Sequence, residues 1–572
     1  MEFGALLGEI RRRRIFRVVA VYVVVAWIVI QAASVIFPAL AIPRWGISLV
    51  VALALLGFPV ALVIAWSADR SHAGAHGSKP VDERSDARTA LPGADATGSA
   101  TADVPTRATA RAPDERSIAV LPFVNMSDDR DNEYFSDGMT EEILNALVKV
   151  RDIKVASRTS SFAFKDHRAD VREIAEKLGV ATVLEGSVRK SGNRLRITAQ
   201  LISAARGYHL WSESYDRKLE DVFAIQDDIA RSIVEALKVQ LGGDIRAAPL
   251  VHQTTGNVEA YQLYLKGRYV FNRFREEELR RSLTFYEKAL DVDPGYARAY
   301  AGIADSWMNL ADDWVPPAEA YPEAKRAAQR AIELDDTLSE AHTALGKVLG
   351  WYDWAFDEAE LALRRAVAVN PNYADAHWGL ATVLPPNGQL PEAVEEMRSA
   401  LALDPMSATF GRFTARFLLY LRRYDEAIEQ ARRTLDVNPG FTHALVHMGQ
   451  AYLARGEPER ALETLREADR TDAFLSVRAH LAQALAALGR TEEATTILTA
   501  LGADEAAGYV RAEFVAAGWA ALGDLDRAFA ALDRALTARS SGLIYLHVDP
   551  SYDPLRADPR YARLVQVIGL KG

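Results

Sequence analysis

The 572-residue chain contains no cysteine. That absence excludes disulfides, thiolate catalysis, iron–sulfur clusters and cysteine-based zinc sites. Histidine is scarce at 11 residues. The strings HExxH, Walker A, GxSxG, GxGxxG and HRD are all missing, so the common hydrolase, nucleotide-binding and kinase signatures are not present. A basic surplus is lacking as well. The formal net charge is −10, which argues against a nucleic-acid partner. Long apolar runs are too few for a polytopic transporter, while 49% hydrophobic residues exclude wholesale disorder.

Two long uncharged runs are present near the start, at residues 18–37 and 46–66. Twenty helical residues span about 30 Å, the thickness of a bilayer core. The apolar side chains of the first run favour insertion by about 4–7 kcal/mol. Pro59 in the second run is tolerable between packed helices, and two of Trp27, Trp45 and Trp66 lie near the expected interfaces. Residues 1–67 are therefore expected to form a two-helix transmembrane hairpin. Arg11–Arg14 and Arg17 precede the first run, against Arg44 alone in the turn. This bias places the N-terminus, and everything after the second span, in the cytoplasm. Residues 68–115 hold almost no large apolar side chain and are expected to be a disordered tether.

Residues 116–245 read as a small α/β domain. SIAVLPF at 117–123 is a buried strand by pattern, and 135–150 a helix that Thr140 could cap. A second strand is expected at 153–157 and a second helix at 171–178, closed by Gly179. Leu195, Ile197, Ala199 and Leu201 alternate with polar residues, a half-buried strand that pairs with 182–189 through the Ser191-Gly192-Asn193 turn. A long helix over 219–241 completes the unit. The acidic cluster Asp128, Asp129, Asp131, Glu133 and Asp137 fails the spacing of a calcium loop and reads as a solvated loop.

The strings SIAVLPF, NEYFSDGMTEEIL, VLEGSVRKSGNRLRITAQL and WSESYDR…DVFAIQDDIA occur in that order. Together they resemble the TolB amino-terminal-like domain of bacterial membrane-anchored signalling proteins. In such proteins the domain is joined to tetratricopeptide repeats and sometimes to adenylyl cyclase or winged-helix outputs. Neither output is recognisable here.

Self-similarity dominates the remainder. Ala359, Ala393, Ala427, Ala461, Ala494 and Ala528 recur about every 34 residues, each with a partner seven positions on. Pro371, Pro405 and Pro439 close their units, because proline cannot continue a helix. Gly267, Ala304, Gly346, Ala381, Ala415, Gly449 and Ala482 mark one small-residue position in the preceding helices. The pattern matches tetratricopeptide repeats (TPR), about eight helix pairs over 257–540, followed by a capping segment at 541–572. The expected architecture is thus multidomain: a transmembrane hairpin, a TolB-like α/β domain and an all-α TPR solenoid.

In such arrays the first helix of each pair lines a concave face. The register places Asp305, Lys347, Trp378, Thr382, Arg412, Arg416 and Gln450 there, with Lys347, Arg412 and Arg416 suited to clamping a carboxylate and Trp378 to anchoring a partner. His443 and His447 share a helix face but lack a third ligand, so no metal site is assigned. No catalytic residue and no cofactor is assigned either. The expectation is a non-enzymatic scaffold in the bacterial cytoplasmic membrane that binds proteins or peptides in its groove and the bilayer through its hairpin. A homo-oligomer is compatible with it, and nucleic acid is not an expected partner. The alternative is a signalling regulator acting through a separate output protein.

Overall fold

The computed structural model describes residues 114–127, 129–150, 153–165, 170–241, 255–472, 475–505 and 511–571. The expected transmembrane hairpin, and the tether up to residue 113, lie outside the described residues. Among the described residues, no helix is long and apolar enough to cross a membrane.

The α/β domain is built on a six-stranded sheet: β1 (Asp114–Val120), β2 (Val124–Asn125), β3 (Lys154–Val155), β4 (Val180–Ser191), β5 (Arg194–Ser203) and β6 (His209–Lys218). The order is β3-β1-β4-β5-β6, with β2 also against β4. β1 runs parallel to β3 and β4, whereas β4, β5 and β6 are antiparallel. The hairpin register pairs Ser191 with Arg194, and Gly192 takes the positive φ that its tight turn requires. β6 was not expected from the sequence. Only Tyr215 of its ten residues is buried, so no apolar alternation marks it, and its order comes from the β5 ladder.

Helices α1 (Glu133–Val148), α2 (Arg158–Phe162), α3 (Val171–Leu178) and α4 (Val222–Leu241) accompany the sheet. α1 and α4 bury Phe135, Met139, Ile143, Ile225, Ile229 and Ile233 against Ile118, Val120, Leu184 and Ile197. α3 packs Ile174, Ala175 and Leu178 against Ala119 and Val183 in a separate cluster. Two local expectations are corrected. Thr140 does not cap a helix: it lies inside α1, donating to the Ser136 carbonyl and accepting from the Phe123 N–H, both at 2.9 Å. Asp137 is not in a solvated loop either. It is buried on α1 and paired at 2.7 Å with Lys165, which also reaches Glu133.

Eight helix pairs follow among the described residues: α5 (Val258–Phe271) with α6 (Glu276–Val292), α7 (Ala297–Leu310) with α8 (Pro317–Leu334), α9 (Ser339–Val348) with α10 (Phe356–Val369), and α11 (Ala374–Val383) with α12 (Leu390–Leu403). Then come α13 (Ala408–Tyr420) with α14 (Tyr424–Val437), α15 (Thr442–Ala454) with α16 (Pro458–Thr471), α17 (Leu475–Ala487) with α18 (Thr491–Glu505), and α19 (Ala512–Ala521) with α20 (Leu525–Thr537). The recurrent alanines from Ala359 to Ala528 are buried in the seams. The backbone leaves the helix at Asn370, Asp404 and Asn438, one residue before each closing proline.

The α/β domain and the solenoid are one packed body. Tyr261, Tyr264, Leu265 and Tyr286 of the first pair belong to the same core as α1 and α4. A Cβ on Gly138 of α1 would lie 2.6 Å from a Leu265 methyl, so the absent side chain permits this close approach. Buried ion pairs reinforce the contact. Glu141 accepts from Arg158 at 3.0 Å and from Arg268 at 2.6 Å, and Glu142 pairs with Arg298 at 2.5 Å. Further along, the Asn372 amide donates to the Val148 carbonyl, the Ser157 N–H to Leu403, and Ser160 to Asp404.

The C-terminal segment does more than the expected capping. After two 3₁₀ turns, Ser541–Tyr545 and Pro550–Leu555, helix α21 (Pro559–Ile568) ends the chain. The segment returns to the middle of the array. Tyr545 donates to the Thr382 carbonyl at 3.2 Å, Arg539 to the Tyr352 carbonyl at 2.8 Å, and the Lys571 N–H to the Pro386 carbonyl at 2.8 Å.

Candidate functional site: the concave face

Most first helices pack on the next first helix, and α11 meets α13 through Trp378 against Phe410 and Phe413, so that inward residues form a ladder. It starts at Arg268, whose guanidinium lies 3.7 Å from Asp305. Burial pushes the Asp305 carboxyl up to about 7, against the opposing fields of Arg268 and Lys347. Lys347 is buried, with its ammonium 3.9 Å from the centre of the Trp378 ring. Burial lowers the pKa of that ammonium, while Asp375 and Asp305 support its charge.

Trp378 is the hub of an aromatic run. It contacts Trp351 edge-on at 5.9 Å, Phe410 at 6.0 Å and Phe413 at 5.5 Å. Its indole nitrogen is buried without a hydrogen-bond partner. Thr382 is buried and internally committed. Its hydroxyl accepts from Trp351 Nε1 at 3.0 Å and donates to the Gly379 carbonyl at 2.6 Å.

Arg412 and Arg416 lie one turn apart on α13, both partly exposed. Arg412 stands 4.7 Å from the Phe413 ring, and Arg416 4.3 Å from Tyr545 and 5.2 Å from Tyr420. Burial, then Arg416 and Arg511, push the Arg412 guanidinium down to about 10. Gln450 is buried, and its side-chain oxygen accepts from His447 Nδ1 at 2.8 Å. His443 is pushed down to about 3 by burial and by Arg412, Arg511 and Arg416, so both α15 histidines are neutral near pH 7.

Of the seven residues read from the repeat register, Asp305 meets Arg268, Thr382 meets Trp351 and Gln450 meets His447. Lys347, Trp378, Arg412 and Arg416 share one aromatic-lined strip. Thr382 and Gln450 spend their polar atoms inside the protein. The same register, one residue after each small position, also points to Arg268 and Gln483, which the sequence reading passed over. Tyr545 and Arg511 carried no such signal, because they reach the strip only through the returning C-terminal segment and the last pair. Among the described residues, no group of three or more His, Asp or Glu could hold a metal ion.

Residues 355–408 and 414–476 match the tetratricopeptide repeat family. The solenoid is built of tetratricopeptide repeats. Residues 114–232 match the second domain of HilA/YgeH-like transcriptional regulators. A curated protein named putative adenylate cyclase 3, from Rhizobium meliloti (strain 1021), is 42% identical over 250 residues. The match takes in 42% of this chain and 41% of that protein, so the chain spans less than half the length of this relative. Among solved structures, the repeats are similar to YrrB, described as a TPR protein with an unusual peptide-binding site, at 21% identity and a TM-score of 0.25 over 34% of this chain and 94% of that one. They are also similar to a thermophilic TPR protein of Thermus thermophilus, TTC0263, at 21% identity and a TM-score of 0.30 over 34% and 99%. The pilus biogenesis factor PilW gives 16% identity and a TM-score of 0.33 over 39% and 98%.

Proposed function

We propose that the protein is an adaptor without bond-making chemistry of its own. An N-terminal transmembrane hairpin would hold it in the bacterial cytoplasmic membrane, a TolB-like α/β domain would bind a partner or ligand, and the repeats would recruit protein. The observation that carries this reading is the strip of Lys347, Trp378, Arg412 and Arg416, where large rings and cations line the concave side of a repeat array. Its mechanism is local concentration: anchoring and docking raise the encounter rate of bound proteins. Crosslinking and affinity capture of the full chain from membranes test it. Reproducible partners that Trp378→Ala and Arg416→Ala both lose are expected. Capture unaffected by either change would refute the groove reading. A periplasm-dependent reporter fused after Leu91 should be silent; activity there would reverse the orientation.

A second reading is favoured by the relatives' names. The α/β match to transcriptional regulators and the likeness to a putative adenylate cyclase suit a signalling regulator that works through a separately encoded output protein. Cyclic-nucleotide levels and transcript profiles of a deletion strain separate the two. Unchanged values in both leave only the adaptor reading.

A further inference from the structure

One side of the α/β sheet is only partly covered. α1 and α4 fill the side that carries Leu184, Val188, Leu195 and Ile197. On the other side α3 packs over Ala119 and Val183, towards the end where β4 begins. Beyond that cluster the face is open. Residues paired across neighbouring strands share a face, so the register shows what lies on it. One row is Val124, Ser187, Thr198 and Ser214, and the next carries Arg189, Arg196 and Asp216. The last row, at the hairpin end, carries Ser191, Arg194 and Lys218. Alternation puts Met126 on the same side, and its N–H donates to the Val188 carbonyl at 2.8 Å.

The open face combines exposed apolar groups with cations. Val124 and Met126 are 59% and 58% exposed. Arg189, Arg194, Arg196 and Lys218 are exposed beside them. Two carboxylates share the face: Asp216, paired with Arg194 at 2.9 Å, and Glu185, in the row before Ser187. Cations are thus in local excess on a chain whose net charge is −10, and charges on remote surfaces are screened within about 8 Å at physiological salt.

Apolar side chains on a flat surface, flanked by arginine and lysine, suit a bilayer with anionic headgroups. The cations meet the headgroups while the apolar groups enter the acyl boundary. An acidic polypeptide would match the cations but leave Val124 and Met126 in water. The place of the domain in the chain favours the bilayer as well. β1 is the first described element after the two uncharged runs, and an intervening coil of about 45 residues reaches about 35–40 Å. β1 begins beside Val180, at the far end of the 12-residue β4 from the cations, about 36–40 Å of strand. A tether of that reach lets the face meet the membrane at high effective concentration.

We propose that the open sheet face, with Val124, Met126, Arg189, Arg194, Arg196 and Lys218, docks on the anionic lipid surface of the membrane that anchors the chain. The proposal rests on the anchored reading and deepens it, because a second, salt-sensitive contact fixes which side of the α/β domain faces the bilayer.

A chain without cysteine accepts a single fluorophore at Ser191→Cys, an exposed position at the rim of the face. The labelled full chain is reconstituted into vesicles whose headgroups carry a nitroxide quencher, either neutral phosphatidylcholine or the same lipid with a third of phosphatidylserine. Quenching at least twofold stronger on the anionic vesicles, and lost in molar salt, is expected. Arg196→Gln should lower the ratio of docked to undocked label about fivefold, the worth of one cation at such a surface. Val124→Ser should lower it too. Arg433→Gln, which removes an exposed charge on α14, should leave it unchanged. Flotation separates this proposal from the anchor. A chain that stays with neutral vesicles in molar salt is held by its hairpin, and an unquenched label on such a chain overturns the docking face alone. Flotation only with anionic vesicles at low salt upholds the face and refutes the hairpin. Quenching that ignores lipid charge or survives Arg196→Gln overturns the proposal. Protection of the label from iodide by polyglutamate or an RNA oligonucleotide, without lipid quenching, also overturns it and assigns the face to a polyanionic macromolecule.

Discussion

Where α1 meets the first repeats, each buried arginine faces a carboxylate: Arg158 and Arg268 converge on Glu141, and Arg298 meets Glu142. Three repeats further on, Arg412 and Arg416 have aromatic rings around them, and Arg416 reaches a carboxylate, Asp549, only through the Tyr420 hydroxyl. Both regions bury positive charge, but only the first matches it by direct ion pairs. The difference separates architecture from recognition. Charges that join two folds must be matched within the chain, because no other molecule arrives to match them. Charges held among rings, with a carboxylate only at one remove, keep donor capacity that a direct ion pair would have used.

The largest effect should come from breaking the matched side. Arg298→Ala leaves Glu142, 9% exposed, without its partner, and should cost about 3–5 kcal/mol in chemical denaturation. Replacing both residues by apolar ones of similar size should recover most of that loss. A smaller effect is expected at the seam of the first pair. A Cβ on Gly267 would collide with the Tyr286 ring, so Gly267→Ala should destabilise by about 1–3 kcal/mol, with little change in groove binding.

Asp305 lies between the two regions and sharpens the contrast through pH. Burial raises its folded pKa to about 7 from an ordinary 3.8, so the folded chain holds this proton when the unfolded chain has released it. Stability from this group is therefore present at low pH and is lost as pH rises from about 4 through 7. Asp305→Asn should flatten that part of the melting-temperature profile; an unchanged slope would reject the assignment. The smallest effect belongs to the exposed β5–β6 pair. Arg194 and Asp216 are 77% and 51% exposed, and Asp216→Ala should change stability by no more than about 0.5 kcal/mol.

Much of this molecule was legible in order along the chain. The helix at Val171–Leu178 matches its expected limits, and the β4–β5 hairpin follows the alternation around Leu195–Leu201. The repeat period located the helix pairs, since small residues must recur wherever two helices approach closely. The position after each small residue then located most of the concave strip. β6 was not legible, because its polar residues carry no pattern of their own. The helix start was also misplaced, as Glu133–Val148 begins before the Thr140 taken as its cap. The π-turn at Leu349–Asp353 and the left-handed Trp354 were not legible either. They are held by contacts from distant chain, with Arg539 4.7 Å from the Trp354 ring.

The amino-acid sequence alone determined the absence of cysteine chemistry, the two uncharged N-terminal runs, the period of the repeats and the register of Lys347, Trp378, Arg412 and Arg416. These are local properties, set by composition and by spacing within a helix or strand. Only the tertiary structure decided that the α/β domain shares a core with the first repeat, and that the C-terminal segment returns to Thr382. It alone also decided which arginines find carboxylates. Those outcomes depend largely on groups distant along the chain, such as Glu142 with Arg298 and Thr382 with Tyr545, meeting in space. No pattern along the chain encodes such a meeting; packing of the whole body does.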